Sequence, residues 1–469
     1  MPEKKKQKSP NKKLQERLFL KKENAWHLIK DHKKVFALSE KYKQFLSVSK
    51  TERTCVSEVI KRLQKAGFKD LNKLKSAKTG DKIFKIIKEK AIIAAIVGKD
   101  KKTFRIVGAH CDSPRLDLKP NPLYEESNLA MLQTHYYGSI KKYQWVNTPL
   151  ALHGIIYTKS GKKITLSLGD KEDEPIFLIS DLLIHLSKDQ MEKNARKVIT
   201  GEDLKIIFGS IPINDKDIHE QVKFNILKKL NKDFAIVEED FSIAELEFVP
   251  ANKARDVGMD RGLIAAYGQD DKVCVFTELE AFLSLKSSIP KTAVAMFVDK
   301  EEIGSVGNTG ADSNILLNFA RDYKELLKLN IYPTKILESS SALTADVTSA
   351  MDPIFKEVHD PQNAAYLSHG VSIEKYGGSG GKYDSADASA KFLHEMRTLA
   401  IKNKIPYQLG ENGRVDQGGG GTIGMFLAKY GMDVVDCGPC VLGMHSPYEV
   451  SSKVDIYSTY LFYKVFFES

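Results

Sequence analysis

Apolar residues recur at helical spacing near the start of the chain and then change to the spacing of strands. Over residues 23–46, apolar side chains return every three or four positions, which predicts a helix. Short apolar runs at residues 82–88, 91–97 and 103–109 predict strands. The last run delivers His110 at its carboxyl end, where open α/β sheets bind their ligands.

The pattern changes between residues 120 and 248. Two runs of strand character flank Ser160-Gly161, a pair typical of a hairpin turn. Further short strands follow, with a polar stretch between them that we predict to be a mobile loop. This region is therefore interpreted as a β-rich insertion. Its predicted strands are residues 154–157, 163–168, 205–208 and 244–248, and its predicted loop is residues 187–203.

Helices and strands alternate again in the last part of the chain. Helices between strands favour a mostly parallel sheet flanked by helices, so the predicted fold class is α/β. We expect a discontinuous catalytic domain at residues 1–119 and 249–469, with residues 120–248 inserted into it. The predicted helices are residues 271–285, 311–329 and 386–401, and the predicted strands are residues 292–298, 335–345 and 433–436.

Composition fits a globular protein with more than one core. The 469 residues are 42% hydrophobic and 28% charged, and the length favours two domains. The net charge is +10, with part of it in a lysine-rich start. No aromatic residues interleave with those lysines, so we interpret them as a solvated tail and expect no nucleic-acid partner. The lysines are Lys4, Lys5, Lys6, Lys8, Lys12 and Lys13.

We expect a cytoplasmic protein. Polar residues interrupt the apolar stretch at residues 14–20, so no signal peptide is predicted. No run approaches the roughly 20 apolar residues that a membrane span requires. The five cysteines are sparse, as in a reducing compartment. Cys437 and Cys440 match a redox dithiol pattern, but they follow an apolar strand and open no long helix, which argues against a redox role.

Side chains suited to divalent metals follow several predicted strands. Two-metal hydrolases hold their ions about 3.5–4 Å apart, so one ligand must bridge them, and a carboxylate can do this. Imidazole nitrogens and carboxylate oxygens both suit zinc. The sequence therefore predicts a metal-dependent hydrolase. The first candidates are His110, Asp112, Glu301, Glu302, Asp346 and His445.

Each candidate also has an ordinary structural interpretation. His110 alone could be a strand-end histidine, but Asp112 can accept a hydrogen bond from its second ring nitrogen and fix the tautomer. Adjacent glutamates are usually surface charge. Glu301 and Glu302, however, directly follow an apolar strand and point in different directions. One can then bind metal while the other acts as a base toward a metal-bound water.

Five segments resemble the zinc metallopeptidase family of aspartyl aminopeptidase and vacuolar aminopeptidase I, which includes bacterial-type aminopeptidase I. The resemblance implies two divalent ions per subunit, most simply zinc, with manganese or cobalt as alternatives. Asp270 would bridge the ions. The segments are residues 108–114 (GAHCDSP), 268–271 (GQDD), 299–305 (DKEEIGS), 341–346 (SALTAD) and 443–446 (GMHS).

The same resemblance assigns the remaining roles. His110 and Asp346 would complete one metal site, and Glu302 and His445 the other. Glu301 would be the general base, and Asp112 would orient His110.

The family also implies an inserted β-domain for dimerisation or as a lid, a homo-oligomer that is a dodecamer, and peptide substrates. Residues 177–186 resemble its segment that carries a histidine into a neighbour's active site, here His185. A core or interface histidine and a third metal histidine are the alternatives.

Two features depart from the family pattern. Ser349 occupies a position where the family often has histidine. Lys375 and Tyr383 correspond to the family's substrate-binding lysine and tyrosine, but a glycine run separates them. These departures favour a neutral or broad N-terminal preference over a strictly acidic one. The alternatives left open are a carboxypeptidase or deacylase on the same scaffold, and a catalytically silent assembly or cargo protein.

Overall fold

The computed structural model describes residues 9–469, so the lysines at positions 4–8 lie outside the described residues. The helices are α1 Pro10–Leu18, α2 Ala25–Leu28, α3 His32–Val48, α4 Glu52–Lys65, α5 Lys188–Met191, α6 Ala195–Val198, α7 Gln221–Phe234, α8 Gln269–Leu283, α9 Ile315–Leu326, α10 Pro333–Glu338, α11 Ala390–Lys402, α12 Gly424–Ala428 and α13 Lys453–Phe467.

The strands are β1 Lys69–Asp70, β2 Lys82–Ile87, β3 Ala91–Ile96, β4 Asp100–His110, β5 Arg115–Glu126, β6 Leu129–Tyr137, β7 Leu150–Tyr157, β8 Lys163–Leu168, β9 Lys205–Gly209, β10 Glu245–Pro250, β11 Arg255–Val257, β12 Leu263–Ala266, β13 Lys291–Val298, β14 Ser341–Thr344, β15 Thr348–Ser349, β16 Val371–Glu374, β17 Gly378–Ser379, β18 Tyr407–Gly410, β19 Gly419–Gly420, β20 Asp433–Gly438, β21 Cys440–Leu442 and β22 Glu449–Ser452. The mixed helix and strand content confirms the predicted α/β class.

A nine-stranded sheet forms the centre of the molecule, in the order β1-β2-β3-β13-β4-β14-β20-β16-β18. Its four central neighbours, β13, β4, β14 and β20, run parallel, while β3 and β16 run antiparallel beside them. Successive residues of β13 alternate between two apolar cores, with Phe297 in one and Val298 in the other. Helices α8 and α13 cover the first face, and α9 and α10 cover the second. Burial on both faces explains why β13 and β4 contain nearly continuous apolar runs.

A six-stranded sheet is built from residues 115–250, in the order β8-β7-β10-β5-β6-β9. It has an apolar core of its own that includes Trp145, Phe177 and Phe248. Its first strand, β5, begins at Arg115, five residues before the predicted boundary at residue 120. The division into a catalytic and an inserted domain stays a prediction. A third sheet has the order β11-β12-β22-β21-β15.

The structure corrects the predicted strand at residues 335–345. Its first part belongs to helix α10, and only Ser341–Thr344 forms strand β14. Pro333 begins α10, where its missing N–H costs nothing, and Ile336 and Leu337 are buried against the core. The polar stretch at residues 187–203, predicted as a loop, contains the short helices α5 and α6. Within residues 9–469, none of the helices combines the length and apolar character that crossing a bilayer requires.

Candidate metal centre

The metal-ligand candidates meet at one edge of the central sheet. His110 is the last residue of β4, Glu301 and Glu302 follow the end of β13, and Asp346 follows the end of β14. These three strands are parallel neighbours, so their carboxyl ends share that edge. Asp270 arrives at the start of α8, and His445 arrives in the turn before β22.

Asp270 lies between the two histidines. Its Oδ1 is 3.1 Å from Nε2 of His110, and its Oδ2 is 3.1 Å from Nε2 of His445. The two oxygens of one carboxylate therefore face two separate imidazoles, which is the arrangement required of a bridging ligand. The loop is fixed from behind, because Ser113 Oγ donates to the Asp270 carbonyl at 2.6 Å.

Asp112 organises the side of the centre that contains His110. Its Oδ1 lies 3.3 Å from Nδ1 of His110, and it accepts the backbone N–H of Glu301 at 3.2 Å. Its Oδ2 accepts the N–H of Glu302 at 3.1 Å and the hydroxyl of Tyr137 at 2.9 Å. Burial alone would raise the pKa of Asp112, but the hydrogen bonds from His110 and Tyr137 lower it to about 2. Asp112 is thus an ionised acceptor that holds both a histidine and the glutamate turn.

Glu449 holds the second histidine and was missed in the sequence. Its Oε1 accepts the N–H of His445 at 2.8 Å, and its Oε2 accepts the N–H of Asp270 at 3.1 Å. His445 has a φ of 64°, a conformation that costs a non-glycine residue about 1–3 kcal/mol and needs such support. The only signal was an acidic residue four positions after His445.

Both histidines present Nε2 to the cluster. Nδ1 of His445 lies 2.8 Å from the carbonyl oxygen of Ser139, and Nδ1 of His110 lies 3.1 Å from the carbonyl oxygen of Asp112. A carbonyl oxygen only accepts hydrogen bonds, so each Nδ1 carries a proton. Each Nε2 then points toward Asp270, and a metal ion bound there would take the place of the proton that the neighbouring carboxylates favour on that nitrogen.

The two adjacent glutamates differ in their surroundings. The Glu302 side chain is 3% exposed, and its Oε2 lies 3.3 Å from Nε2 of His445. The Glu301 side chain is 17% exposed, and its Oε2 lies 3.9 Å from Nε2 of His110. Glu301 is therefore the more accessible of the two to a water molecule, whereas Glu302 is buried beside His445.

The same sequence matches a known protein family. Residues 45–467 fit the family described as aminopeptidase I zinc metalloprotease, M18. A Clostridium acetobutylicum protein described as "Probable M18 family aminopeptidase 1" is 47% identical over 457 residues, which are 94% of this chain and 97% of that protein. The chain belongs to the M18 family. The resemblance predicted from the five segments is confirmed, and the chain is a metalloaminopeptidase, a hydrolase of the exopeptidase class.

Solved structures agree with this M18 assignment. An M18-family aminopeptidase from Thermotoga maritima has a TM-score of 0.92 and 42% identity, covering 96% of this chain and 100% of that one. The mApe1 dodecamer of Saccharomyces cerevisiae has a TM-score of 0.73 and 20% identity, covering 93% and 97%. The second likeness shows the shared fold alone.

The donor set of this M18 chain fits divalent metals. His110, Asp270 and Glu302 offer ligand atoms that all lie within 4.8 Å of one another, and so do His110, Asp271 and Asp346. Oδ1 of Asp271 and Oε1 of Glu302 are buried without a hydrogen-bond partner. Such orphaned carboxylate oxygens are costly unless a cation meets them. Two imidazole nitrogens with several carboxylates suit zinc, and also manganese or cobalt.

The cluster carries an excess of negative charge. Burial raises the pKa of Glu302 and of Asp346 well above the usual range, and that of Glu301 to about 7, with neighbouring carboxylates adding to each effect. Burial lowers the pKa of His445, but Asp270 and Glu302 outweigh it and raise the value to about 10. The carboxylates thus outnumber the cationic groups that face them. Bound divalent cations would neutralise this excess negative charge.

The three residues predicted to bind substrate are all exposed. Lys375 and Tyr383 are exposed, and Tyr383 has a relative accessibility of 73%. His185 is also exposed, beside apolar neighbours. Among residues 9–469, none of these three side chains has a recorded hydrogen bond or ion pair with the metal ligands. Their roles stay predictions.

The cysteine pair Cys437 and Cys440 is unsuited to dithiol chemistry. Cys437 lies in β20 and Cys440 in β21, and both are buried free thiols. Burial raises the pKa of both thiols well above the ordinary value, which disfavours the reactive thiolate. Asp299 stabilises the loop that carries the two glutamates, because its Oδ2 accepts the Thr309 hydroxyl at 2.8 Å.

Proposed function

We propose that this aminopeptidase uses two metal ions bridged by Asp270, with Glu301 as general base. The position of Asp270 between His110 and His445 is the observation that carries the proposal. His110 and Asp346 would hold one ion, and Glu302 and His445 the other. Bound ions would polarise the scissile carbonyl and lower the pKa of water.

The protein groups around that chemistry have separate tasks. Glu301 is the most exposed carboxylate of the cluster, so it would take a proton from water and deliver it to the leaving amine. Asp112 would keep His110 in the tautomer that frees Nε2 and would hold the backbone of Glu301 in place. The buried Glu302 would serve as a ligand.

For the substrate, we propose peptides with a neutral or varied N-terminal residue. Lys375 is exposed and forms no ion pair with the described metal ligands, so nothing in this subunit fixes its positive charge where it could select an acidic residue. An acidic preference would require another subunit or a rearranged loop to supply the positive charge.

An aminoacyl-amide panel tests the activity and its metal dependence. Hydrolysis should be lost on dialysis against a chelator and should return with zinc, manganese or cobalt, because every proposed step needs the charged centre. Neutral aminoacyl amides should be cleaved at least as well as acidic ones. Activity that persists in the metal-stripped protein would contradict the proposal, and a silent assembly protein would cleave none of the amides.

We further propose that the chain assembles into a cytoplasmic homo-oligomer, a dodecamer, through a β-rich domain at residues 120–248. The segment around His185 supports this, since Leu183, Ile184 and Leu186 are 53%, 69% and 68% exposed. Contiguous exposed apolar side chains of this kind are typical of interaction surfaces. The yeast mApe1 structure is a dodecamer. His185 would then contribute to a neighbour's active site.

Replacing His185 with alanine should lower kcat/KM without changing metal content or particle size. His219→Ala, at another exposed histidine of the same region, is the matched control and should leave kcat/KM unchanged. Particles reassembled from His185→Ala and Glu301→Gln subunits should regain activity, because a mixed interface pairs an intact base with a donated histidine. Verified mixed particles that stay inactive would show that His185 does not act across the interface.

A further inference from the structure

The end of strand β6 contacts both halves of the metal centre. The Tyr137 hydroxyl donates to Oδ2 of Asp112 at 2.9 Å, on the His110 side. Two residues later, the carbonyl oxygen of Ser139 accepts from Nδ1 of His445 at 2.8 Å. Between them, Gly138 passes so close to Glu302 that a Cβ on it would lie 3.2 Å from Oε2. A strand of the six-stranded sheet thus reaches groups that orient ligands from both sites.

Tyr137 is held in place by its cross-strand partner. Arg115 pairs with Tyr137 in the β5–β6 register, and its guanidinium carbon lies 3.8 Å from the centre of the Tyr137 ring. Arg115 is itself fixed by ion pairs to Glu52 on α4 and to Glu247 on β10. Tyr137 is buried, so its ring has little room to turn. The hydroxyl is therefore presented to Asp112 by a rigid, charged frame.

The position of the Asp112 carboxylate depends on the hydrogen-bond donors that contact it. A carboxylate has about four acceptor positions, and those of Asp112 meet His110, the N–H groups of Glu301 and Glu302, and the Tyr137 hydroxyl. Asp112 is fully buried, so water cannot replace a lost donor. If one donor is removed, one oxygen loses a hydrogen bond and the carboxylate can change its position. A shift of Asp112 would move the His110 ring and the glutamate turn together.

We propose that Tyr137 is a positioning residue for the hydrolytic centre, acting through Asp112. The hydroxyl fixes the Asp112 carboxylate, which in turn fixes the ring of His110 and the backbone of Glu301 and Glu302. This inference rests on the proposed function of those residues. The six-stranded sheet would then help to position the active-site groups, in addition to any role in assembly.

The test compares Tyr137→Phe with Tyr136→Phe in the full-length protein. Phenylalanine keeps the ring that packs on Arg115 and removes only the hydroxyl. Zinc affinity, measured by competition with a chromogenic chelator, should weaken by up to about 10-fold, which is the lower end of the roughly 10–100-fold cost of removing a partner that contacts a ligand directly, because Tyr137 acts through Asp112. For the zinc-saturated variant, kcat should fall by roughly 10-fold, with KM nearly unchanged. Tyr136 is the neighbouring tyrosine, is 39% exposed, and should give the values of the wild type when replaced.

A double-mutant cycle separates positioning from general destabilisation. Asp112→Asn should weaken zinc binding on its own, and adding Tyr137→Phe should then cost little more, because the two residues act through one contact. Tyr137→Phe with wild-type zinc affinity and kcat would overturn the inference, as would losses that multiply with those of Asp112→Asn. A wild-type protein that binds no metal would instead reject the proposed function, so the two failures are distinguishable.

Discussion

Glu301→Gln should lower kcat by about 10²–10⁴-fold while the bound metal stays near the wild-type amount. Glutamine keeps the size and the hydrogen-bonding reach of the side chain but cannot take a proton. The Glu301 carboxylate lies 3.9 Å from Nε2 of His110 and is 17% exposed, so it can reach a water molecule while it contributes little to metal binding. Turnover of aminoacyl amides and elemental analysis of the same preparation are the two measurements.

The neighbouring residue provides the control for that experiment. Glu302→Gln alters the buried carboxylate that lies 3.3 Å from Nε2 of His445, so it should lower the metal content as well as the activity. Comparing the metal content and turnover of the two variants distinguishes the general base from the metal ligand on the same turn. Near-normal turnover of Glu301→Gln at full metal content would reject Glu301 as the base.

Sequence reasoning identified the ligand candidates because each follows a recognisable strand. His110, Glu302 and Asp346 come directly after apolar runs, and parallel strands bring such positions to one edge. Local pattern was enough for these residues, since burial of a central strand on both faces leaves a long apolar signature. The resemblance to known metallopeptidases added Asp270, which no strand pattern indicates, and divided the candidates, His445 included, between two metal sites.

The residues that hold the ligands in place were not predictable from local pattern. Tyr137 meets Asp112 across 25 positions, and Ser139 meets His445 across 306 positions. Strand β5 was not predicted, and Pro120 and Pro122 weaken the strand signal of its sequence. In the structure its pairing with β6 breaks between Leu118 and Leu123, around both prolines. Without β5 and β6, no sequence argument could align Arg115, Tyr137 and Asp112.

The misread segment at residues 335–345 has a related cause. Ile336 and Leu337 are buried apolar residues in a short run, and buried helices and strands give the same signal at that length. Pro333 was the discriminating residue, because proline is favoured in the first turn of a helix. A helix that begins at Pro333 leaves a shorter strand before Asp346, and the prediction for Asp346 does not depend on that length.

Asp270→Ala should remove about twice as much metal as either His110→Ala or His445→Ala, because a bridging ligand serves both ions and each histidine serves one. The two oxygens of Asp270 lie 3.1 Å from Nε2 of each histidine, which is the geometry behind this expectation. The backbone should stay in place, since Glu449 accepts the N–H of residue 270 and Ser113 donates to its carbonyl. Elemental analysis after dialysis, together with zinc titration of each variant, gives the metal content per subunit.

Asp271 is the matched control and the competing candidate for the bridge. Its Oδ2 accepts the backbone N–H of His110 at 3.3 Å, so one oxygen is already committed to strand β4. Oδ1 is buried without a hydrogen-bond partner, and with His110 and Asp346 it offers at most one side of the centre. Asp271→Asn should therefore lose no more metal than a single histidine variant. If Asp270→Ala and the histidine variants lose equal amounts while Asp271→Asn loses more, the bridge belongs to Asp271, and the roles of the two adjacent aspartates must be exchanged.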